Sequence, residues 1–252
     1  DLYHPWGLDA EQAIVVATEC EAAARQVDPR IENSEGGTVS SYVGMRVKAN
    51  THGFLAGYRS SYHSISCAVI GKQGDEMQRD YWSYSARDPA DMPSAAETGR
   101  IAGERTVRRL GTRRLSTRQA PVVFAADIAS SLFGHFISAV SGSSLYRKSS
   151  FLLDHLGKQV FPGFLHIHEQ PLLKKGLGSA PYDGEGVATQ AQDFVRDGIL
   201  QSYVLNSYAA RKLGMATTGN AGGVRNLTID PGDKNLDQIL RSMDTGLLVT
   251  EL

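Results

Sequence analysis

The sequence predicts an α+β protein in two parts. The N-terminal part has an antiparallel sheet with flanking helices, and the C-terminal part is mixed and β-rich with short helices. Three observations predict this class: a capped amphipathic helix opens the chain, alternating strands with short turns follow it, and later segments alternate between short strands and short helices. The 252 residues, 41% of them hydrophobic, suffice to bury a substantial core.

The first helix is marked by a cap, an apolar face and a stop. Asp9 is the expected N-cap, with Gln12 three residues later as its reciprocal partner. Apolar residues then recur at helical spacing, namely Ala10, Ala13, Ile14, Ala17 and Ala24. The helix is expected to end before Asp28-Pro29, because proline cannot continue the hydrogen-bond ladder.

A β meander follows the first helix. Val43, Met45 and Val47 alternate with more polar residues, which is typical of a strand with one buried face. Short turns rich in Gly, Asn and Asp separate this strand from three more. The four predicted strands of this antiparallel sheet cover residues 43–47, 54–60, 62–70 and 77–84.

A second helix is predicted from Ser94, with Glu97 as its capping-box partner, to about Leu110. Seven arginines lie between residues 100 and 118. They indicate either an anion- or nucleic-acid-binding patch or a basic helix end that runs into a solvated linker. The net charge of −1 favours the second interpretation. We place a domain boundary near Thr117, giving domains 1–117 and 118–252.

The second part begins with a strand at residues 121–124 and a helix whose apolar face runs from Ile128 to Val140. A polar loop is predicted at 141–150. Asp197-Gly198 between two apolar runs predicts a tight type I′ hairpin, because glycine accepts the positive φ of that turn. Two short helices complete the prediction, at 207–213 before Gly214 and at 236–243 before Gly246.

Composition argues against several classes of partner. Twenty-six basic residues balance 27 acidic ones, so neither nucleic acid nor an anionic membrane is an expected partner. Two cysteines without metal-type spacing suit a reducing cytoplasm. No apolar run approaches the ~20 residues needed to cross a bilayer. The absence of an initial methionine and the apolar strand pattern at 247–252 lead us to expect an internal fragment, truncated at both ends.

The clearest metal-binding pattern is His166-Ile167-His168-Glu169. On a strand, residues two positions apart share a face, so both imidazoles would be able to bind one zinc ion. A zinc site needs at least three protein ligands, and the third would have to come from elsewhere. The alternative is an exposed polar strand face, which we favour on ligand count.

Other polar motifs have simpler structural interpretations. Asp183 and Glu185 form a carboxylate pair, but the glycines beside them indicate a tight turn. Glycine clusters at 176–178 and 219–223 do not continue as phosphate-binding fingerprints. The serines of 141–150 lie near His155 without an orienting partner, and three single histidines are interpreted as structural, namely His52, His63 and His135.

Several long stretches of the chain resemble the TldD/PmbA metalloprotease family, in particular its TldE (PmbA) branch. In the first half, DPRI at 28–31 and SEGG at 34–37 match, as does the arginine-rich helix. In the second half the matching stretches are LYRKSSFL at 145–152, LGKQ at 156–159, GLGSAP at 176–181, DGEGV at 183–187, DGIL at 197–200, SYAARKLG at 207–214, TGNA at 218–221 and GLLVTEL at 246–252.

The resemblance implies a TldD/PmbA-like fold and a role in proteolysis. In this family, TldD-type and TldE-type subunits pair to form a cytoplasmic zinc protease that degrades unfolded polypeptides and matures microcin-like peptides. The TldD-type subunit carries a helical His-Glu and a second histidine that hold zinc and activate water. Registered on Leu132 and Gly134 here, these positions fall on Ala125, Ala126 and Ser130, which cannot bind zinc.

We therefore expect a non-catalytic subunit with neither catalytic residues nor a metal of its own, and with zinc in a TldD-type partner. A peptide or unfolded polypeptide is the expected substrate of the pair. Asp183, Glu185 and Arg211 are the candidate groove or partner contacts. The alternative is a self-sufficient metallopeptidase that uses His166 and His168. A third hypothesis, a nucleic-acid-binding modulator, would use the arginine segment.

Overall fold

The computed structural model describes residues 1–252 and has the predicted α+β class. Contacts divide the chain into two compact units. The first comprises Asp1–Leu115 with Lys174–Leu177, and the second comprises Ser116–Leu173 with Gly178–Leu252. The sequence analysis placed the boundary near Thr117 and did not anticipate that residues 174–177 belong to the first unit.

The first unit is a three-stranded antiparallel sheet with two helices. Strand β1 pairs with the central strand β2, which pairs with β3. The helices contact each other and the sheet. In chain order the elements are α1 at Ala10–Arg25, β1 at Ile31–Ala49, β2 at Leu55–Gln73, β3 at Glu76–Ala86, a 3₁₀ turn at Pro89–Asp91 and α2 at Ala95–Arg108.

The caps of both helices follow from the sequence. Asp9 and Gln12 form the predicted capping box. Ser94 accepts a hydrogen bond from the amide of Glu97, as expected, but the Glu97 carboxylate pairs with Arg100 rather than completing a capping box. The predicted apolar face of α1 is only partly correct, because Ile14 is 64% exposed and the buried residues include Cys20 and Ala24.

The prediction of four strands was wrong, because residues 54–60 and 62–70 lie in the single strand β2. A single residue, Ser61, separates the two predicted strands. Ser61 is instead fully buried, and its hydroxyl donates to the carbonyl of Arg87 over 2.7 Å and accepts from the amide of His4 over 2.9 Å. A satisfied polar side chain therefore lies inside a continuous strand.

The segment 174–177 is held in the first unit by two charged side chains. Arg87 donates to the carbonyls of Gly176 and Leu177 over 2.8 and 2.7 Å. Lys175 lies 2.6 Å from a carboxylate oxygen of Asp88, and their hydrogen bond lowers the pKa of Asp88. Two carbonyls of this glycine cluster thus accept from the Arg87 guanidinium.

Helices α1 and α2 approach each other closely at two glycines. A Cβ atom added to Gly99 would lie 1.9 Å from the carbonyl oxygen of Cys20, and one added to Gly103 would lie 2.6 Å from that of Ala24. Both obstacles are backbone atoms of α1, which cannot move without displacing the helix. The four-residue spacing of these glycines therefore fixes the distance between the two helices.

The second unit contains two small sheets and four helices. Strands β4 and β9 pair in parallel, and the other sheet is antiparallel with the order β7-β6-β5-β8. In chain order the elements are β4 at Val122–Phe124, α3 at Ala126–Ala139, α4 at Gly142–Tyr146, β5 at Ile167–Glu169, β6 at Gln192–Arg196, β7 at Ile199–Leu200, α5 at Ser207–Leu213, β8 at Leu227–Ile229, α6 at Leu236–Ser242 and β9 at Leu247–Val249.

The local predictions for this unit are mostly confirmed. Asp197 and Gly198 have φ values of 53° and 75°, the positive pair that a type I′ hairpin requires. Gly214 ends α5 with a left-handed φ of 68°. The prediction of a polar loop at 141–150 was wrong, because part of it forms α4, whose Leu145 is fully buried.

The four-stranded sheet lies against the core of the second unit. Five of the largest core side chains are fully buried, namely Leu145, Ile167, Phe194, Leu200 and Leu205. Two of them belong to β5 and β6, so the core fixes the positions of the strands that carry the polar residues described below. No helix of the structure is both long and apolar enough to cross a membrane.

We expect Gly99→Ala to lower the free energy of unfolding by about 1–3 kcal/mol, because the added methyl forces α1 and α2 apart. Gly134→Ala in α3 is the matched control, since a Cβ there meets nothing within 4 Å. The control should gain about 0.5–1 kcal/mol from helix propensity. Urea denaturation followed by circular dichroism measures both. Equal stability of the two variants would contradict the close approach.

Candidate functional site

Strand β5 sends successive side chains to opposite faces of its sheet. Ile167 and Glu169 point inward and are 0% and 2% exposed. His166 and His168 point outward, with side chains 29% and 21% exposed. Their ring centroids lie 4.9 Å apart. The prediction that both imidazoles share a face is therefore confirmed.

Two aspartates join these histidines. Asp230 follows β8, and its amide donates to the carbonyl of His166 over 3.2 Å. Its carboxylate oxygens lie 2.8 Å from Nδ1 of His166 and 3.8 Å from Nε2 of His168. On the other side of β5, Asp193 in β6 pairs in register with His168, and its Oδ1 lies 3.0 Å from Nε2 of His166. We call His166, His168, Asp193 and Asp230 the histidine cluster.

The carboxylates change how His166 binds a proton. The hydrogen bond with Asp193 is the largest cause raising the pKa of His166, and the bond with Asp230 also raises it. For Asp193, burial is the largest single influence and acts to raise the pKa. The hydrogen bonds from His166 and Arg196 together outweigh burial, so the pKa of Asp193 is lowered. Both ring nitrogens of His166 thus face carboxylates, and these contacts favour the protonated form of the ring.

The inward carboxylate of Glu169 organises the opposite side of the sheet. Its Oε1 accepts from Nε2 of Gln192 over 2.6 Å and from Nδ2 of Asn220 over 2.8 Å, and its Oε2 accepts from the amide of Arg225 over 2.8 Å. These donors satisfy the buried charge. The sequence pair His168-Glu169 is thus divided between two faces, and Glu169 is not placed to activate a water bound at His168.

Asp183 has a similar structural position. It is 2% exposed. Its Oδ1 accepts from the amides of Glu185 and Val187 over 2.8 and 2.9 Å, and its Oδ2 accepts from the amide of Ala221 over 2.9 Å. Asp183 therefore ties its own turn to the glycine-rich loop at 219–223. The expectation that it contacts a groove or partner stays a prediction, and this side chain would act through the loop that it holds.

Glu185 and Arg211 are both exposed, and both form a hydrogen bond with the backbone of Ser207. Oε2 of Glu185 accepts from the amide of Ser207 over 2.9 Å, and Nε of Arg211 donates to the carbonyl of Ser207 over 3.2 Å. The structure thus brings these two predicted residues together at the beginning of α5. Their role in partner contact stays a prediction.

A cavity of about 260 Å³ lies between α4, α5 and the glycine-rich loop. Two of its lining residues, Ser141 and Val204, form a parallel β-bridge with each other. Its lining is mixed, with hydroxyl, amide, aromatic and glycine groups. The lining residues are Ser141, Gly142, Ser143, Tyr146, Val204, Asn206, Tyr208, Ala209, Asn220, Gly222 and Gly223.

Helix α3 does not fit a zinc ion at the positions that the resemblance indicates. Ala125 is its N-cap, Ala126 is its first residue, and the hydroxyl of Ser130 donates to the carbonyl of Asp127 over 2.9 Å. His135 is exposed on this helix, and neither a second histidine nor a glutamate lies on it. The described residues contain one group of three potential metal ligands, and it lies instead on the sheet: His166, His168 and Asp230.

The remaining sequence alternatives have structural explanations. His63 is fully buried and bonded to Ser41 and to the carbonyl of His4, as expected for a structural histidine. In the arginine segment, Arg100 pairs with Glu97 and Glu104. Arg105 and Arg109 lie near the carboxylate of Asp80, at 3.5 and 3.8 Å. These acidic neighbours weaken the attraction of the segment for an anion.

The sequence analysis missed Asp193 and Asp230. Both lie far along the chain from the histidines and reach them only through strand pairing. Neither is part of a motif, because Asp193 is a single acid in a strand and Asp230 precedes a proline. Strand alternation was no guide either, because Val195, two residues after Asp193, is fully buried and the pairing of β5 with β6 shifts register between Ile167 and His168.

Two family models match the chain. Residues 3–110 match the PmbA/TldA metallopeptidase central domain, and residues 117–252 match the PmbA/TldA metallopeptidase C-terminal domain. Together the two matches cover nearly the whole chain.

Curated relatives carry related names. The metalloprotease PmbA of Escherichia coli O157:H7 is 47% identical over 252 residues, which is all of this chain and 56% of that protein. The metalloprotease PmbA homolog of Haemophilus influenzae is 46% identical and is covered to the same extent. A TldD homolog of Haemophilus influenzae is 25% identical over 222 residues, or 84% of this chain and 46% of that protein. The chain thus spans about half the length of these relatives.

Solved structures share the fold. A Bacteroides thetaiotaomicron protein described as a candidate modulator of DNA gyrase matches with a TM-score of 0.92 at 28% identity, over all of this chain and 57% of that one. TldE from Thermococcus kodakarensis matches with a TM-score of 0.80 at 19% identity, over all of this chain and 62% of that one. The second likeness concerns the fold alone.

We expect Asp183→Asn to lower the free energy of unfolding by about 1–3 kcal/mol, because its new NH₂ group faces a buried amide donor. Glu185→Gln is the control, since its side chain is exposed and its amide oxygen still accepts from Ser207. The control should change stability by about 0.5 kcal/mol or less. Urea denaturation compares the two, and an unchanged stability of Asp183→Asn would contradict the structural role.

Proposed function

The chain belongs to the PmbA/TldD metallopeptidase family, on its PmbA (TldE) branch, and we propose that it is part of the non-catalytic subunit of a two-component zinc protease. The zinc that hydrolysis requires is carried by a TldD-type partner. The assembled protease degrades unfolded polypeptides and matures microcin-like modified peptides, and it works in the cytoplasm.

One observation carries this proposal: α3 offers no zinc ligands at the positions where the family's catalytic helix would hold the metal. Methyl groups occupy two of these positions, at Ala125 and Ala126, and Ser130 returns its hydroxyl to the helix backbone. A zinc-activated water needs three protein ligands and an open position. This helix cannot supply them, so hydrolysis by the family's route requires another chain.

The cavity beside α5 supports a role in holding substrate. Three of its lining residues are glycines, namely Gly142, Gly222 and Gly223, and the absence of side chains there would let an extended peptide approach the backbone without regard to most of its own side chains. Such recognition suits a protease for unfolded polypeptides. Glu185 and Arg211 stand at the start of α5 and are the residues that we assign to groove or partner contact, while Asp183 positions the loop beside them.

Neither nucleic acid nor a membrane is a proposed partner. The arginine segment shares its region with the carboxylates of Asp80, Glu97 and Glu104, and the chain has a net charge of −1. Binding to nucleic acid depends on uncompensated positive charge. The charge distribution therefore favours a protein partner over a nucleic-acid partner.

A self-sufficient metallopeptidase is the second candidate, and Asp230 is the observation that favours it. Together with His166 and His168 it completes a three-ligand set within this chain. The position of Glu169 weighs against hydrolysis there, because its carboxylate lies on the opposite face and is occupied by three donors. Asp193 already accepts from His166 and Arg196. No carboxylate of this group is thus left to act as a general base.

The test is reconstitution of proteolysis from the purified full-length protein and the TldD-type subunit of the same organism. Unfolded casein is the substrate, and released peptides are quantified. We expect background hydrolysis from this protein alone and zinc-dependent hydrolysis from the mixture, because only the partner holds the catalytic metal.

His168→Gln in this protein is the informative variant, and His135→Gln is its matched control. We expect both variants to support the wild-type rate in the mixture. Hydrolysis by this protein alone, lost in His168→Gln and kept in His135→Gln, would overturn the proposal in favour of the second candidate. A mixture without activity above that of the partner alone would also contradict it.

A further inference from the structure

We propose that His166, His168 and Asp230 bind one divalent transition-metal ion of the zinc class, with Asp193 orienting His166 from behind. This site lies on the outer face of the four-stranded sheet and is separate from α3, where the family's catalytic metal would be expected. It does not require the proposed function, because binding here needs neither a partner nor hydrolysis.

The donor atoms already have nearly the required spacing. Tetrahedral zinc with ligands at about 2.1 Å holds its donor atoms about 3.4 Å apart. Nδ1 of His166 lies 2.8 Å from one oxygen of Asp230, and Nε2 of His168 lies 3.8 Å from the other. One ligand atom from each residue falls within 4.8 Å of the other two. Small rotations of the three side chains would bring the donor atoms to the spacing that a tetrahedral ion requires.

Strand pairing explains why these three residues converge. His168 lies on β5 and His166 immediately precedes that strand, and because the two are two residues apart in extended backbone they share a face. Asp230 lies directly across from His166, as the hydrogen bond from its amide to the carbonyl of His166 shows. The rigid pairing of β5 with β8 positions the donors in advance, which lowers the conformational entropy lost on binding.

Asp193 supplies a feature typical of metal-binding histidines. Such a histidine usually donates its second ring N–H to a carboxylate, which fixes the tautomer and the ring orientation. Nε2 of His166 faces Oδ1 of Asp193 at 3.0 Å, which leaves Nδ1 to face Asp230 and the ion. Arg196 pairs with the other oxygen of Asp193 and holds that carboxylate in place. Two surface histidines that are close by chance would not have a carboxylate and an arginine arranged behind one of them.

Charge and donor type select the class of ion. The carboxylates of Asp193 and Asp230 carry a formal charge of −2, of which the guanidinium of Arg196 offsets one, so the remaining charge attracts a cation. Imidazole nitrogen suits zinc, cobalt, nickel and copper, whereas calcium and magnesium prefer an all-oxygen set.

The site is accessible to an ion from solvent. A surface depression of about 450 Å³ borders His168 and Asp193, and the side chain of Asp230 is 46% exposed. A bound ion would link β5 to the segment that follows β8 and so stabilise this edge of the sheet. Because the neighbouring carboxylates have other partners, the ion is a structural element rather than a hydrolytic one.

The experiment measures metal binding to the purified full-length protein after chelator treatment and dialysis. Zinc is added in calorimetry against a competing chelator, and Co²⁺ serves as a spectroscopic probe whose visible absorption intensity reports coordination number. We expect one zinc per chain, a cobalt spectrum of four- or five-coordinate type, and no heat from Ca²⁺ or Mg²⁺ at the same concentrations.

Variants distinguish the residues that bind the ion from the residue that orients a ligand. His166→Gln and His168→Gln should each abolish stoichiometric zinc binding, and Asp193→Asn should weaken it by about 10- to 100-fold. His135→Gln, an exposed histidine on α3, is the control and should bind as the wild type does. Circular dichroism of each metal-free variant checks that it is folded.

Three results would overturn the site: no zinc bound by the wild type in competition with the chelator, stoichiometric zinc retained by either histidine variant, or the weak cobalt spectrum of a six-coordinate, largely hydrated ion. If a histidine variant fails to fold, the cobalt spectrum of the wild type and the affinity of Asp193→Asn still decide. Proteolysis by the mixture with a TldD-type subunit is measured separately, so failure of this site leaves the proposed function standing.

Discussion

The buried carboxylate of Glu169 is the constraint on which the second unit depends. A carboxylate that is 2% exposed must be matched by donors, and Gln192 of β6, Asn220 of the glycine-rich loop and the amide of Arg225 after that loop provide them. The alternation of β5 then places His168 on the opposite face. One strand therefore closes the interior on one side and presents a possible metal ligand on the other, and this division argues against hydrolysis at the histidines.

In the first unit, two glycines of α2 set how closely α1 and α2 pack. The backbone of α1 contacts Gly99 and Gly103 of α2 so closely that a single methyl would not fit. The sequence predicted both helices and their caps, because Asp9 and Ser94 act on amides three residues away. It did not predict that β2 is continuous, because the partners of Ser61 are distant in sequence. Helix caps were predictable because both partners lie within one turn, whereas the burial of Ser61 depends on residues that are remote in sequence.

The same limit applies to the candidate site. His166 and His168 were predicted to share a face because strand periodicity is local. Asp230 completes the set from 64 residues away from His166, and no spacing rule connects the two. The prediction that Asp183 contacts a groove or a partner stays untested. The three amide donors of Asp183, including that of the distant Ala221, were not visible in the sequence. Family resemblance supplied the functional hypothesis, and the structure supplied the chemistry of each side chain.

The central claim is that α3 of this chain holds no zinc, so that catalysis belongs to a partner. Anomalous diffraction at the zinc edge tests it most directly, with crystals of the full-length protein in complex with its TldD-type subunit. The account predicts a strong peak in the partner and none within coordination distance of Ala126–Ala139 of this chain. A peak at α3 would contradict the account, because this chain would then carry a metal at the family's catalytic position.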